Sequence, residues 1–217
     1  MKTLVTFGDS WPQGGELSWD KGDRPYGWQL AEKYGYNFQN FGSAGASNED
    51  MVLQLIEFGL QKKEDTTAIF FLTNPARSMN WPRGMSWNHM SNEREHWPVD
   101  AKDFVKELFL HFHDSNRDSV RSSMAVITLQ QMCKSLGITD YYFAGWIRYM
   151  DWLPGVNTDK IFKAGQETAA DWFGATKHNG EHLLDVSDNE FIRPNFAHPN
   201  HKGHEFIAKK LAEWIKL

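Results

Sequence analysis

The chain carries a single cysteine, Cys133, among 217 residues, so no internal disulfide can staple it. The segment around that residue, LQQMCKSLG, reads as the buried side of a helix, and the thiol is expected to be structural. No apolar run approaches the length that crosses a bilayer, which excludes a membrane-spanning helix. No signal-peptide core opens the sequence, where the apolar stretch has the form of a strand. The expectation is a cytoplasmic protein, or one released without a signal peptide. Positive charge is also in short supply. The 23 basic residues face 28 acidic ones, the net charge is −5, and the longest basic runs are pairs such as Lys209-Lys210. Such a balance offers no field for grasping nucleic acid. Internal repeats and low-complexity tracts are absent too.

What is present is ordinary globular composition, 41% hydrophobic and 24% charged, at a length that suits one domain with a sizeable core. The exception is tryptophan, with ten residues. Three of them, Trp81, Trp87 and Trp97, fall in a stretch without sustained periodicity from about 75 to 100. A segment of that length in a compact domain points to function or disorder, and its aromatic content argues against disorder. Its tryptophans either line a groove or form a small core for the loop itself. Arg77 and Arg83 are two cations of this stretch able to meet an acidic substrate.

Elsewhere strands and helices alternate. TLVTF, residues 3–7, is a short β-branched run ending at Gly8. PYGWQLAEKYG has a helical repeat stopped by Gly35, and residues 36–42 read as a second strand before a glycine-rich turn. Ser47 or Asn48 is placed to cap the next helix, whose apolar face runs from Met51 to Leu60. TTAIFFLT, residues 66–73, is nearly all apolar, as a central parallel strand covered on both sides requires. Helices over about 100–114 and 119–136, a strand over 140–146, and helices over about 163–172 and 201–217 complete the pattern. The alternation predicts an α/β fold, a three-layer α/β/α sandwich with a mostly parallel central sheet. Such sheets hold ligands at the C-terminal ends of their strands, and Ser10, the turn over 42–47 and Asn74 all follow predicted strands.

Three polar features on one rim fit acyl transfer. A serine hydroxyl attacks only when a base takes its proton, and the tetrahedral oxyanion needs fixed donors. Ser10 supplies the hydroxyl and its own N–H, Gly45 a second N–H, and Asn74 a carboxamide. The base comes from NFAHPNHKGHEF, which holds His198, His201 and His204. His198 precedes a proline and so is extended, just ahead of a helix. His204 reads as a packed histidine. The i, i+4 spacing of an HExxH metal site is missing, and no metal is expected.

These blocks resemble the SGNH hydrolase superfamily, also called the GDSL lipase/esterase family. GDSWPQG matches its first block through Gly8, Asp9, Ser10 and Gly14; NFGSAGAS matches its second through Asn40, Gly42 and Gly45. Thr73-Asn74 partly matches the third, with LTNP in place of GxND, and His198-Pro199-Asn200 with Gly203-His204 matches the last. The resemblance implies a flavodoxin-like SGNH hydrolase fold over 1–217 as one domain, with an aromatic-rich insertion at about 75–100. It implies a serine esterase with Ser10 as nucleophile, His198 as base, and Ser10, Gly45 and Asn74 as the oxyanion hole. No cofactor is required.

One departure stands out. The family places an aspartate three residues before the catalytic histidine, where this chain has Asn195. In a serine-protease triad, asparagine in place of the orienting aspartate costs about 10⁴ in turnover. Asn195 itself, a backbone carbonyl, or a carboxylate from Asp185, Asp188 or Glu190, is the candidate to orient His198. Trp11, Trp81 and Trp87 are the aromatics expected against the substrate, an ester and by its polar surroundings a carbohydrate O-acetyl ester. The alternative is a weak or inactive hydrolase-like module that binds a glycan or a partner protein.

Overall fold

The structure, a computed structural model, describes residues 2–15, 17–61, 65–75, 77, 114–145, 148, 151–173, 190–192 and 198–215. Nearly all of the expected insertion, including Trp81 and Trp87, lies outside them, as do the helix expected over about 100–114, save its last residue, and Asp185, Asp188 and Asn195.

Among the described residues four parallel strands form the sheet: β1 (Thr3–Phe7), β2 (Asn37–Asn40), β3 (Thr66–Leu72) and β4 (Thr139–Ala144), in the order β2-β1-β3-β4. β1 and β3 lie in the middle, and both are apolar on each face because helices cover each face. On one side pack α2 (Tyr26–Tyr34) and the last helix, α6 (His201–Trp214), through Leu30, Ala31, Ile207 and Leu211. On the other pack α3 (Asp50–Gly59) and α4 (Ser115–Leu136), through Met51, Leu55, Phe58, Val126 and Leu129. The three-layer sandwich is the architecture that the alternation of elements predicts.

Register aligns the core. Phe7 pairs with Phe70 and Phe70 with Tyr142, so their rings stack across three strands at centroid spacings of 4.7 and 4.8 Å. Each such buried ring contributes on the order of 1.5–3 kcal/mol. Cys133 sits fully buried in the same layer, on α4.

Helix ends follow local chemistry. Gly35 and Gly137 close α2 and α4 in left-handed conformation. Ahead of α3, the Asp50 N–H donates to Ser47 Oγ, while Asp50 Oδ2 accepts from the Ser47 N–H at 2.8 Å. That reciprocal pair ties Ser47 to the first residue of α3, while Asn48 turns away to the Thr73 N–H. The helix expected over 163–172 is a correction. Lys163 and Ala164 have positive φ, 48° and 52°, and the segment breaks into a short 3₁₀ turn and α5 (Ala169–Trp172). Isolated bridges from Ile161 to Tyr142 and from Thr168 to Ala144 hold it along the free edge of β4 instead.

Candidate active site

Ser10 is the first residue of α1 (Ser10–Gln13), a single turn that begins three residues after β1 ends. Asp9 caps it by accepting the Trp11 N–H at 3.0 Å on Oδ1. As the first helical residue, Ser10 has an N–H that no carbonyl within the helix can accept. Its hydroxyl meets an imidazole from the far end of the chain. Ser10 Oγ lies 2.7 Å from His198 Nε2, across a sequence separation of 188 residues. That distance is the hydrogen-bond contact a serine and its base require.

His198 is delivered by the segment that enters α6. Asn200 caps that helix, accepting the Gly203 N–H at 3.0 Å, and its amide donates to the Glu190 carbonyl at 2.7 Å. The Asn200 N–H donates to the Phe191 carbonyl at 2.9 Å, and Ile192 bridges Pro199. Gly203 is obligatory at the crossing: a Cβ there would stand 2.2 Å from the Phe191 carbonyl oxygen. One turn on, His204 is buried, and its Nδ1 accepts the Tyr26 N–H at 3.3 Å. His201 faces Glu205 at 3.2 Å on the helix surface.

Gly45 and Asn74 come from the loops after β2 and β3, the two neighbours of β1, at the same end of the sheet as Ser10. Gly45 is the third residue of a turn closed by Ala46 N–H on the Ser43 carbonyl at 3.0 Å, and its φ of 75° suits glycine. The loop leans on α1: Ser43 N–H donates to the Gly8 carbonyl at 2.9 Å, and Asn40 Nδ2 donates to the Pro12 carbonyl at 2.7 Å. Asn74 opens a turn over 74–77 that Arg77 N–H closes on the Asn74 carbonyl at 3.0 Å.

Two carboxamides that sequence reasoning missed fix the strand ends beneath these loops. Gln54 of α3 accepts the Gly8 N–H and donates to the Gly8 carbonyl, both at 3.0 Å. Asn48 accepts the Thr73 N–H at 3.0 Å, and its Nδ2 lies 3.1 Å from Ser122 Oγ. The chain just before Ser10 and just before Asn74 is thus clamped by side chains, where the β ladder has run out. No spacing rule predicts partners 46 and 25 residues away.

Two expectations about this region change. Trp11, named for substrate contact, is only 3% exposed. Its indole packs 5.2 Å from the Phe71 ring and 6.1 Å from Phe173, because the helix turn that presents Ser10 outward points the next residue into the core. Arg77 does not offer its charge to a ligand. Its Nη1 lies 2.6 Å from Asp9 Oδ2. Among the candidate orienters of His198, Glu190 is a surface residue whose carboxylate stands 3.6 Å from Lys202.

Among the described residues no helix is long and apolar enough to cross a membrane, and no group of three or more His, Cys, Asp or Glu could hold a metal ion. No protein-family model and no curated protein sequence matches the chain. Solved structures do. A lipolytic protein of the G-D-S-L family from Desulfitobacterium hafniense is 11% identical over 99% of this chain and 100% of its own, with a TM-score of 0.53. TesA is 12% identical over 99% and 98%, at 0.51. The psychrotrophic esterase EstA from Pseudoalteromonas sp. is 13% identical over 100% and 97%, at 0.50. At such identities the likeness is one of fold.

Proposed function

We propose, from a fold shared with the SGNH/GDSL hydrolases, that this chain is a serine esterase cleaving a carboxylic ester through an acyl-enzyme. The observation that carries the reading is the 2.7 Å contact between Ser10 Oγ and His198 Nε2. Nε2 takes the hydroxyl proton as Oγ attacks the ester carbonyl, and the oxygen becomes an oxyanion. The N–H groups of Ser10 and Gly45 and the Asn74 carboxamide are the donors assigned to it. Collapse of the intermediate breaks the bond to the alcohol, which leaves with the proton from His198. Water then enters by the same base, the acid is released, and Ser10 regains its proton.

For His198 to accept through Nε2, its other nitrogen carries the proton and needs an acceptor. Asn195, Asp185 and Asp188 are proposed to supply it; Glu190, engaged with Lys202, is the weaker choice. The substrate proposed is a carbohydrate O-acetyl ester, for which the support is the polar, tryptophan-bearing stretch that follows Asn74 in the sequence. Trp81 and Trp87 are its proposed contacts.

The test is hydrolysis of p-nitrophenyl esters of rising chain length, alongside release of acetate from O-acetylated sugars. A profile falling steeply beyond acetate, with turnover on the sugar acetates, is the expected result. Preference for long acyl chains would refute the carbohydrate reading, and no hydrolysis of any ester would refute the esterase.

A further inference from the structure

The residues assigned to the site come from three loops, and one side chain touches the neighbours of all three. Arg77 closes the turn on Asn74 through its own N–H, at 3.0 Å from the Asn74 carbonyl. Its guanidinium then reaches back. Nη1 lies 2.6 Å from Asp9 Oδ2, beside Ser10, and 2.7 Å from Thr73 Oγ1, beside Asn74. The same nitrogen is 3.5 Å from the carbonyl oxygen of Ala46, beside Gly45. Thr73 Oγ1 in turn donates to Asp9 Oδ2 at 2.9 Å, and Asp9 Oδ1 holds the Trp11 N–H. Asp9 is only 5% exposed by its side chain, and Arg77 16%, so the carboxylate depends on this partner rather than on water.

The residue types suit the task. A buried carboxylate must be paired and hydrogen-bonded, and a guanidinium presents several donors in a rigid fork. The two protons of Nη1 are directed at Asp9 and Thr73, while the backbone of the same residue fixes the turn that begins at Asn74. Pro75 at the second position of that turn restricts it further. Loss of the guanidinium would leave Asp9 without its counter-charge at the cap of the helix that presents Ser10.

We propose that Arg77 is a positioning residue, which through Asp9 and the 74–77 turn sets the nucleophile helix and the Asn74 carboxamide in register with one another. It touches no reacting atom. The proposal rests on the reading of Ser10 as nucleophile, and the experiment separates the two.

A fluorophosphonate labels a serine activated by its base and requires no particular natural substrate. Its labelling rate at Ser10 is compared among wild type, Arg77→Met, Asp9→Asn, the double variant Asp9→Asn/Arg77→Met, and Arg77→Ala with and without methylguanidinium, each checked for folding by its melting curve. The expected result is a loss of about 10²-fold in Arg77→Met and in Asp9→Asn, the scale of a small misplacement of reacting groups. The double variant should be no slower than the slower single one, and methylguanidinium should restore much of the rate to Arg77→Ala at unchanged melting temperature. In ester turnover the loss should fall on kcat with KM nearly constant. If Arg77→Met does not fold, Asp9→Asn and the methylguanidinium rescue decide. Labelling of folded Arg77→Met within about threefold of wild type, multiplicative losses in the double variant, or no rescue would overturn the proposal while leaving Ser10 in place. A wild-type chain that takes up no label would overturn the Ser10 reading, and this proposal with it.

Discussion

Lowering the pH should destabilise this protein through His204, and the structure sets the size of the effect. The imidazole is 0% exposed and stacked on Tyr26, with ring centroids 6.0 Å apart. Its Nδ1 already accepts the Tyr26 N–H, so protonation there would set two donors face to face. Nε2 has no partner among the described residues. Burial, and then the nearby imidazoles of His201 and His198, hold its pKa down to about 3 from the ordinary 6.5. As pH falls below 6.5 the unfolded chain takes up a proton that the folded chain refuses. The unfolded state therefore binds more protons between pH 6.5 and about 3, and stability rises with pH across that window. At about 1.4 kcal/mol per unit, going from pH 7 to pH 4.5 costs about 2.5 kcal/mol, and the full shift is worth about 5 kcal/mol below pH 3. Urea midpoints for wild type and His204→Asn across this range isolate the contribution. Asn keeps an acceptor for the Tyr26 N–H but does not titrate. Its stability at pH 7 should be lower, and the gap to wild type should narrow by about 2.5 kcal/mol by pH 4.5. Parallel curves would refute the reasoning.

Three further substitutions probe the scaffold around the site. Gly203→Ala should cost about 1–3 kcal/mol by overpacking and should also cut ester turnover, because the new Cβ meets Phe191 and Pro199 next to His198; an unchanged melting curve would contradict this. Gln54→Leu should cost about 1–3 kcal/mol in chemical denaturation, since the buried Gly8 N–H loses its partner while the Gly8 carbonyl keeps the Ser43 N–H. A change within error would show that the clamp is dispensable. Trp11→Ala should lower stability by about 3–5 kcal/mol, as a core indole requires; a loss below about 1 kcal/mol would return Trp11 to the surface.

Much of the sheet was legible because burial on both faces writes itself as unbroken apolar sequence. AIFFL in the centre is such a run, and β1, though its threonines interrupt it, is buried at every position. β2 is shorter than the predicted 36–42, since only residues 37–40 pair with β1 and the edge strand is only partly buried. The helix expected over 163–172 failed because an apolar repeat does not reveal that Lys163 and Ala164 turn left-handed to follow the edge of β4. In the site, the meeting of Ser10 with His198 was legible from motif and order. The residues that hold them were not. Gln54 and Asn48 look like ordinary polar positions within and just ahead of an amphipathic helix, and only the fold brings them to Gly8 and Thr73. Arg77 likewise looks like a loop cation until Asp9 lies against it. Trp11 misled because its neighbour Ser10 faces outward while a single helical turn sends the indole the other way.

The central claim is that Ser10 forms a covalent acyl-enzyme with His198 as its base. Rapid mixing of the chain with excess p-nitrophenyl acetate, followed by acid quench and mass analysis of the peptide holding Ser10, tests it most directly. The account predicts a burst of about one p-nitrophenolate per chain, with acetyl on Ser10. Both signals should vanish in Ser10→Ala and be strongly slowed in His198→Ala. Ester turnover that survives in Ser10→Ala, or acetyl found on another residue, would contradict it.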